Sequence, residues 1–185
     1  LGFNAMSIRE AVENDFEAIW PIFHNIVKAG DTYAYASDTT KEQAKKIWLQ
    51  APRKTYVFEE AGNILGTYYI KTNQQGPGQH VCNCGYMVAP QARGRGLATI
   101  MCEHSQQKAL QLGYYAMQFN FVAASNEGAV RLWHKLDFKT VGRLPKAFKH
   151  PSQGLVDALV MYKWLGTKPI SLVTYSDFNY VLKEI

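Results

Sequence analysis

Val88-Ala89-Pro90-Gln91-Ala92-Arg93-Gly94-Arg95-Gly96-Leu97-Ala98 joins the end of a strand-like run to the start of a helical one through a glycine turn. A helix N-terminus leaves backbone N–H groups unpaired and carries a partial positive charge, and glycine lets the backbone approach an oxyanion without a Cβ clash. The stretch therefore reads as a phosphate cradle, with Arg93 and Arg95 adding local charge. A glycine-rich turn also occurs in nucleoside triphosphatases and dinucleotide sites. The first needs Gly-Lys-Ser or Gly-Lys-Thr at the helix start, where this chain has Gly96-Leu97-Ala98. The second belongs to an early parallel βαβ unit, whereas this turn is central and follows a hairpin.

Working outward, Ser7 to Glu10 reads as a short strand, and Phe16, Ile19, Trp20, Phe23, Ile26 and Val27 share one face of a helix that Gly30 and Asp31 end. Pro21 falls early in that helix, as a kink or a first turn. A shorter helix is expected from Thr40 to Leu49, before Pro52. Thr55 to Glu60 and Ile64 to Lys71 flank Ala61-Gly62-Asn63 as an antiparallel hairpin, and His80 to Val88 is the next strand. Ala98, Met101, Cys102, Ser105, Ala109 and Leu112 line one face of a helix that Gly113 stops. A strand at Ala116 to Val122, a helix capped by Ser125 or Asn126 and running to about Leu136, and strands Phe138 to Leu144 and Leu155 to Trp164 complete a mixed α/β order without βαβ repeats. Residues 166–185 lie beyond the pattern as a C-terminal extension, and residues 1–5 precede Met6, a candidate initiator.

Gln91-x-x-Gly94-x-Gly96 after a strand resembles the acetyl-coenzyme A signature of the Gcn5-related N-acetyltransferase (GNAT) superfamily, and the order of elements matches. Asn126-x-x-Ala129-x-x-Leu132-Trp133-x-x-x-x-Phe138 is similar to that superfamily's second motif. The resemblance, over residues 6–165, implies the GNAT fold: a mixed, mostly antiparallel central sheet flanked by helices, with strands splayed at the acetyl-CoA site. It also implies an acyltransferase with acetyl-CoA as co-substrate. Backbone groups near Met87 and Val88 would hold the pantetheine arm, Arg93, Gly94, Arg95, Gly96, Leu97 and Ala98 the pyrophosphate, and Asn126 the arm's other side. Gly30-Asp31-Thr32-Tyr33-Ala34-Tyr35, Met117-Gln118-Phe119-Asn120 and Val156-Asp157-Ala158-Leu159-Val160-Met161 resemble the branch of phosphinothricin-type and fungal proline-analogue (L-azetidine-2-carboxylate) acetyltransferases. In the latter group two asparagines serve the substrate, and Asn83 and Asn120 occupy the matching positions.

An ammonium group cannot attack a thioester, so an amine of pKa about 10 must first lose a proton. His80, on the strand leading to the cradle, is the candidate base through water, with a loop-edge histidine as the alternative. Asn83 offers an amide donor to the thioester carbonyl, and Asn120 could orient the substrate; either could instead be a satisfied buried amide. Tyr33 and Tyr35 would wall the acceptor pocket, and Lys146, Lys149 and His150, expected before the last strand, could meet a substrate carboxylate. Where the superfamily commonly has a tyrosine that protonates the leaving thiolate, this chain has Trp133, which cannot act as an acid. A thiolate with a pKa near 8.5 can leave with solvent protonation, so direct attack survives the change. Asp137 takes the place of the superfamily's usual glycine before Phe138, and Asp tolerates left-handed backbone.

Composition bounds the partners. With 185 residues and 47% hydrophobic content the chain can bury a sizeable core. Its net charge of +5 is scattered, which argues against nucleic acid. No apolar run suits a membrane span and the start lacks a secretory pattern, so the expectation is a soluble, cytoplasmic protein without membrane attachment. Cys82, Cys84 and Cys102 read as reduced and mostly buried, the first two expected on opposite strand faces, and no metal cluster is indicated. The acceptor is expected to be a small-molecule amine, an amino acid or analogue. A peptide or protein amine acetyltransferase and an acyl-CoA sensor without chemistry are the alternatives, and pairing as a homodimer is implied only by the family.

Overall fold

The hairpin between Lys54–Glu60 (β2) and Asn63–Thr72 (β3) turns through Ala61 and Gly62, both with positive φ, +51° and +77°. That double left-handed turn matches the right-handed twist of paired strands. In the computed structural model, which describes residues 6–166, this hairpin supplies the second and third strands of a seven-stranded sheet. The remaining elements are Met6–Glu10 (β1), Phe16–Ala29 (α1), Lys41–Lys45 (α2), Val81–Val88 (β4), Leu97–Gln111 (α3), Ala116–Ala123 (β5), Glu127–Lys135 (α4), Lys139–His150 (β6) and Gly154–Trp164 (β7). The strand order is β1-β2-β3-β4-β5-β7-β6, antiparallel everywhere except between β4 and β5. This is the mixed, mostly antiparallel sheet flanked by helices that the sequence led us to expect. The stretches 1–5 and 167–185, and with the latter nearly all of the expected extension, lie outside the described residues.

Strand alternation sorts the helices onto the two faces of the sheet. Thr67 and Tyr69 point to α1 and α2: the buried Trp48 donates its indole N–H to Thr67 Oγ1 at 3.0 Å, and its ring meets Tyr69 edge-on at 4.9 Å. Tyr68 points the other way, to α3, where its hydroxyl lies 2.6 Å from His104 Nδ1. Trp48 sits in a π-helical turn, Lys46–Gln50, that extends α2, so the helix expected to Leu49 changes pitch midway. Pro52 cannot donate to the Trp48 carbonyl, which accepts from Thr55 Oγ1 at 2.6 Å instead. Truncating a Trp buried in this way costs about 3–5 kcal/mol.

On α3 the buried residues are Leu97, Met101, Cys102, Ser105 and Ala109, and Gly113 follows with φ +87°. Pro21 lies inside α1, after a 3-10 turn at Glu13–Asp15. Asp137 takes φ +68° while Phe138 N–H donates to Trp133 O at 3.0 Å, so the turn after α4 keeps the left-handed residue that glycine would supply. Cys82 and Cys84 share a face of β4, against expectation, because residues two apart in a strand point the same way. About 6.6 Å of strand separates them, at the far end of disulfide geometry. All three cysteines are free and buried.

The final hairpin is longer than its sequence suggested. β6 runs through Pro145, Lys146 and Ala147 to His150, its register slipping between Leu144 and Phe148. Asp157 on β7 holds the bulge: its carboxylate accepts from Arg143 Nε at 2.5 Å and from Lys146 N–H at 2.9 Å, and Lys146 adopts φ +52°.

Candidate active site

β4 and β5 pair only at Val81↔Ala116 and Cys82↔Met117. From Asn83 onward they diverge, and the edge of β4 that a strand would have covered opens into a cavity of about 1000 Å³. Tyr86 shows which backbone groups face it. Its N–H donates to Tyr33 Oη at 2.7 Å, and its carbonyl accepts from the same hydroxyl at 2.8 Å. A side chain from the loop after α1 thus occupies a slot on the unpaired edge. Antiparallel pairing alternates, so Cys84 and Val88 also face the cleft, whereas Met87 and Ala89 turn toward β3; Ala89 N–H donates to Leu65 O at 2.8 Å.

Beyond β4 a 3-10 turn, Pro90–Ala92, leads to Gly94 (φ +76°) and Gly96 (φ +81°), and a Cβ added at either would meet nothing within 4 Å. The first α-helical bond of α3 runs from Ile100 N–H to Gly96 O, leaving Leu97, Ala98 and Thr99 amides without an intrahelical acceptor. Gly96 has no side chain to cap them, whereas Thr40 caps α2 and Asn126 caps α4. These open donors, the positive end of a helix of 15 residues and the Arg93 side chain border the cavity together.

On the α1 face of the cleft the polar groups form a chain. Tyr69 Oη donates to Asn83 Oδ1 at 3.1 Å, and Asn83 Nδ2 donates to Gln118 O at 2.9 Å. Gln118 Nε2 donates to Asn120 Oδ1 at 2.9 Å, and Asn120 Nδ2 to Asn73 Oδ1 at 2.7 Å. Each of Asn83 and Asn120 keeps one amide N–H that this chain does not use. Burial raises the Tyr33 and Tyr69 phenols far above their ordinary range, so both stay protonated hydrogen-bonding groups. Burial also pushes the Cys84 thiol well up.

Residues 10–138 match the model of the Acetyltransferase (GNAT) family. The chain belongs to this family. The N-acetyltransferase aca1 of Schizosaccharomyces pombe is 33% identical over 99 residues, 53% of this chain and 47% of that protein, so the chain spans about half the length of this curated relative. A Gcn5-related N-acetyltransferase from Kribbella flavida is 41% identical, with a TM-score of 0.83 over 87% of this chain and 98% of that one. A GNAT superfamily phosphinothricin acetyltransferase from Sinorhizobium meliloti, solved in complex with AcCoA, shares the fold at 19% identity, with a TM-score of 0.78 over 93% and 96% of the two chains.

Within this GNAT fold, Tyr33, Tyr35, Asn83, Met87, Val88, Arg93, Gly94, Gly96, Leu97, Ala98, Asn120, Asn126 and Trp133 all line the one cavity. His80 does not. It precedes β4 at the end where the strands still pair, its carbonyl accepting from Tyr115 and Ala116 N–H, about 10 Å of strand before Asn83. Arg95 is also absent from the wall: its guanidinium is ion-paired to Glu60 at 2.8 Å and lines a separate surface groove. The Met87 backbone cannot serve a ligand in the cleft, because its groups belong to the ladder with β3, and only its side chain reaches the wall. Asn126 spends its Oδ1 on the Ala129 N–H at 3.2 Å, which leaves its Nδ2 for the cavity.

Lys146 and Lys149 lie on exposed positions of β6, away from the wall, and only His150 of that trio lines the cavity. His150 Nδ1 accepts N–H bonds from Ser152 and Gln153, both at 3.2 Å, so the neutral ring carries its proton on Nε2 and is a donor there. Sequence reasoning missed Tyr69, Lys71, Gly85 and Ser125, all in the wall. Tyr69 and Lys71 alternate inward along β3, a signal that was available once β3 was paired with β4. Ser125 was read only as a cap. Among the described residues its Oγ is the one buried side-chain N or O atom without a hydrogen-bond partner. No three metal-binding side chains gather among the described residues, and no helix there is long and apolar enough to cross a membrane.

Proposed function

We propose that residues 6–165 form an acetyltransferase domain that moves the acetyl group of acetyl-coenzyme A onto the amine of a small molecule, an amino acid or close analogue. The observation that carries this reading is the continuity of one cavity: it runs from the uncapped α3 N-terminus, along the unpaired edge of β4, to the amide of Asn83. The residues fit the cofactor. The glycines at φ +76° and +81° leave open space over amides suited to a pyrophosphate, and the unpartnered Ser125 Oγ and the spare Nδ2 of Asn126 suit the amides of a pantetheine arm. When bound, acetyl-coenzyme A supplies a thioester whose carbonyl carbon accepts the amine nitrogen while its thiolate departs with a proton.

The chain's own residues hold and polarise the reactants. Val88 and Cys84 would offer their edge amides to the pantetheine arm, and Asn83, with one N–H to spare, would polarise the thioester carbonyl. Asn120, fixed between Gln118 and Asn73, orients the acceptor, while Tyr33 and Tyr35, stacked at 5.5 Å, wall it. The role of the two asparagines is that of the proline-analogue branch. Trp133 packs against Tyr86 and Phe119 and would give the thiol end a mainly apolar wall whose indole N–H cannot be transferred as an acid. With His80 outside the cavity and His150 carrying its proton on Nε2, we assign amine deprotonation to water entering through the open mouth.

A thiol-release assay with acetyl-coenzyme A against amino acids, peptides and polyamines tests this. Turnover of amino acids, with Asn83→Ala and Asn120→Ala each lowering kcat/KM at least tenfold, is expected. Unchanged turnover in both variants overturns the substrate-site assignment. Calorimetric binding of acetyl-coenzyme A without turnover of any amine would replace the enzyme by a sensor.

A further inference from the structure

Two cations in the cleft lack an anion among the described residues: Arg93, beside the α3 amides, and Lys71, on the Asn83 side. Lys71 lies on β3 directly opposite Asn83 on β4, shares its face of the sheet, and is half-buried in the cavity wall. Its Nζ sits over the ring of Tyr69, 5.2 Å from the centroid, and the hydroxyl of that ring is the donor to Asn83. None of the ion pairs among the described residues includes Lys71. Asp31 is the one carboxylate in the cavity wall; it lies beyond ion-pair reach of Lys71 and accepts from Thr32 Oγ1 at 2.9 Å. Of the nearby amides, Asn120 Oδ1 accepts from Gln118 Nε2 and Asn73 Oδ1 from Asn120 Nδ2. A half-desolvated ammonium gains only part of its lost hydration from an aromatic face, and a carboxylate is the group that completes it.

We propose that Lys71 binds the carboxylate of the acceptor and thereby selects free amino acids over their uncharged analogues. The inference rests on the acetyl-transfer reading above and adds the residue that sets its specificity. Directly opposed strand residues lie about 5.5 Å apart. A carboxylate held at Lys71 therefore places an amine two bonds from the carboxyl carbon beside Asn83, as in an α-amino acid. Longer spacings, as in polyamines or a lysine side chain, leave the cation unused. Tyr69 keeps the ammonium folded over the cleft, which makes it the positioning residue for Lys71.

The experiment compares each of the proteinogenic L-amino acids, and L-azetidine-2-carboxylate, with its own carboxamide as acceptor. In the unaltered protein, kcat/KM for acids is expected to exceed that for amides at least tenfold. In Lys71→Met that ratio should fall toward one, through a raised KM for the acids and with little change in kcat, and Lys71→Arg should restore most of it. Turnover of the amides by Lys71→Met reports that the variant is folded. An unaltered protein that takes amides as readily as acids overturns the proposal, as does a Lys71→Met variant that loses both acceptor classes in equal proportion. Those outcomes leave acetyl transfer standing. Failure to acetylate any amine defeats both readings.

Discussion

Gly85 illustrates how one residue sets the shape of the cavity beside Asn83, the side proposed for the acceptor. A Cβ there would lie 2.7 Å from Tyr69 Cε1 and 3.1 Å from Tyr33 Oη, so even alanine must displace one of the two rings. Tyr69 positions Asn83 and Lys71, and Tyr33 bonds both backbone groups of Tyr86, so displacement propagates to each. Gly85→Ala is expected to raise the acceptor KM at least tenfold, to leave the KM for acetyl-coenzyme A little changed, and to cost about 1–3 kcal/mol of stability through overpacking. Steady-state kinetics with both substrates and a urea melt check this; an unaltered acceptor KM would show that the rings have room to yield. Asn83 makes the complementary point. It was legible as a candidate because an amide on a strand entering a cradle is chemically suggestive, yet its partners on β3 and β5 are 14 and 35 residues away.

Elements carry the two electrostatic devices of the fold. The amides of α3 are free because Gly96 precedes it, a local fact that spacing alone announced. The attachment of α3 to the sheet through His104 and Tyr68 was not announced, since nothing local links residues 36 apart. Burial, with a smaller contribution from Lys108, holds His104 below its ordinary pKa of 6.5. The unfolded chain takes up this proton as pH falls through 6.5 while the folded protein takes it up only lower. Just below 6.5 the unfolded state therefore holds more protons, and stability declines on acidification. The thermal midpoint is expected to drop over that range and the slope to be shallower in His104→Gln. Equal slopes in the two proteins would assign the acid sensitivity elsewhere.

At the scale of the molecule, the cleft exists because two parallel strands share only two register pairs before diverging. That geometry puts His80 at the closed end and the α3 amides at the open one. The pH dependence of kcat/KM should therefore follow the ionisation of the acceptor amine, and His80→Ala should leave both its midpoint and its plateau within about twofold. A midpoint that moves with His80→Ala, or that stays fixed while acceptors of different amine pKa are exchanged, would restore a protein base. The long β6–β7 hairpin belongs to this scale too. Its bulge, held by Asp157, accompanies a strand that ends with His150 in the cavity wall and Lys146 and Lys149 at exposed positions, a separation that adjacency in sequence does not reveal.

The sequence by itself determined the element order, the glycine turn before α3, the open start of α3, the Asn126 cap of α4 and the left-handed Asp137, because each depends on hydrogen bonds or backbone torsions within a few residues. Tertiary structure alone decided which side chains share the cavity. It withdrew His80, Arg95 and the Met87 backbone and supplied Lys71, Tyr69, Gly85 and Ser125, since these depend on strand register and on where two strands part. Register is set by long-range burial across the sheet, and no local pattern encodes which residue of one strand will stand opposite which residue of another.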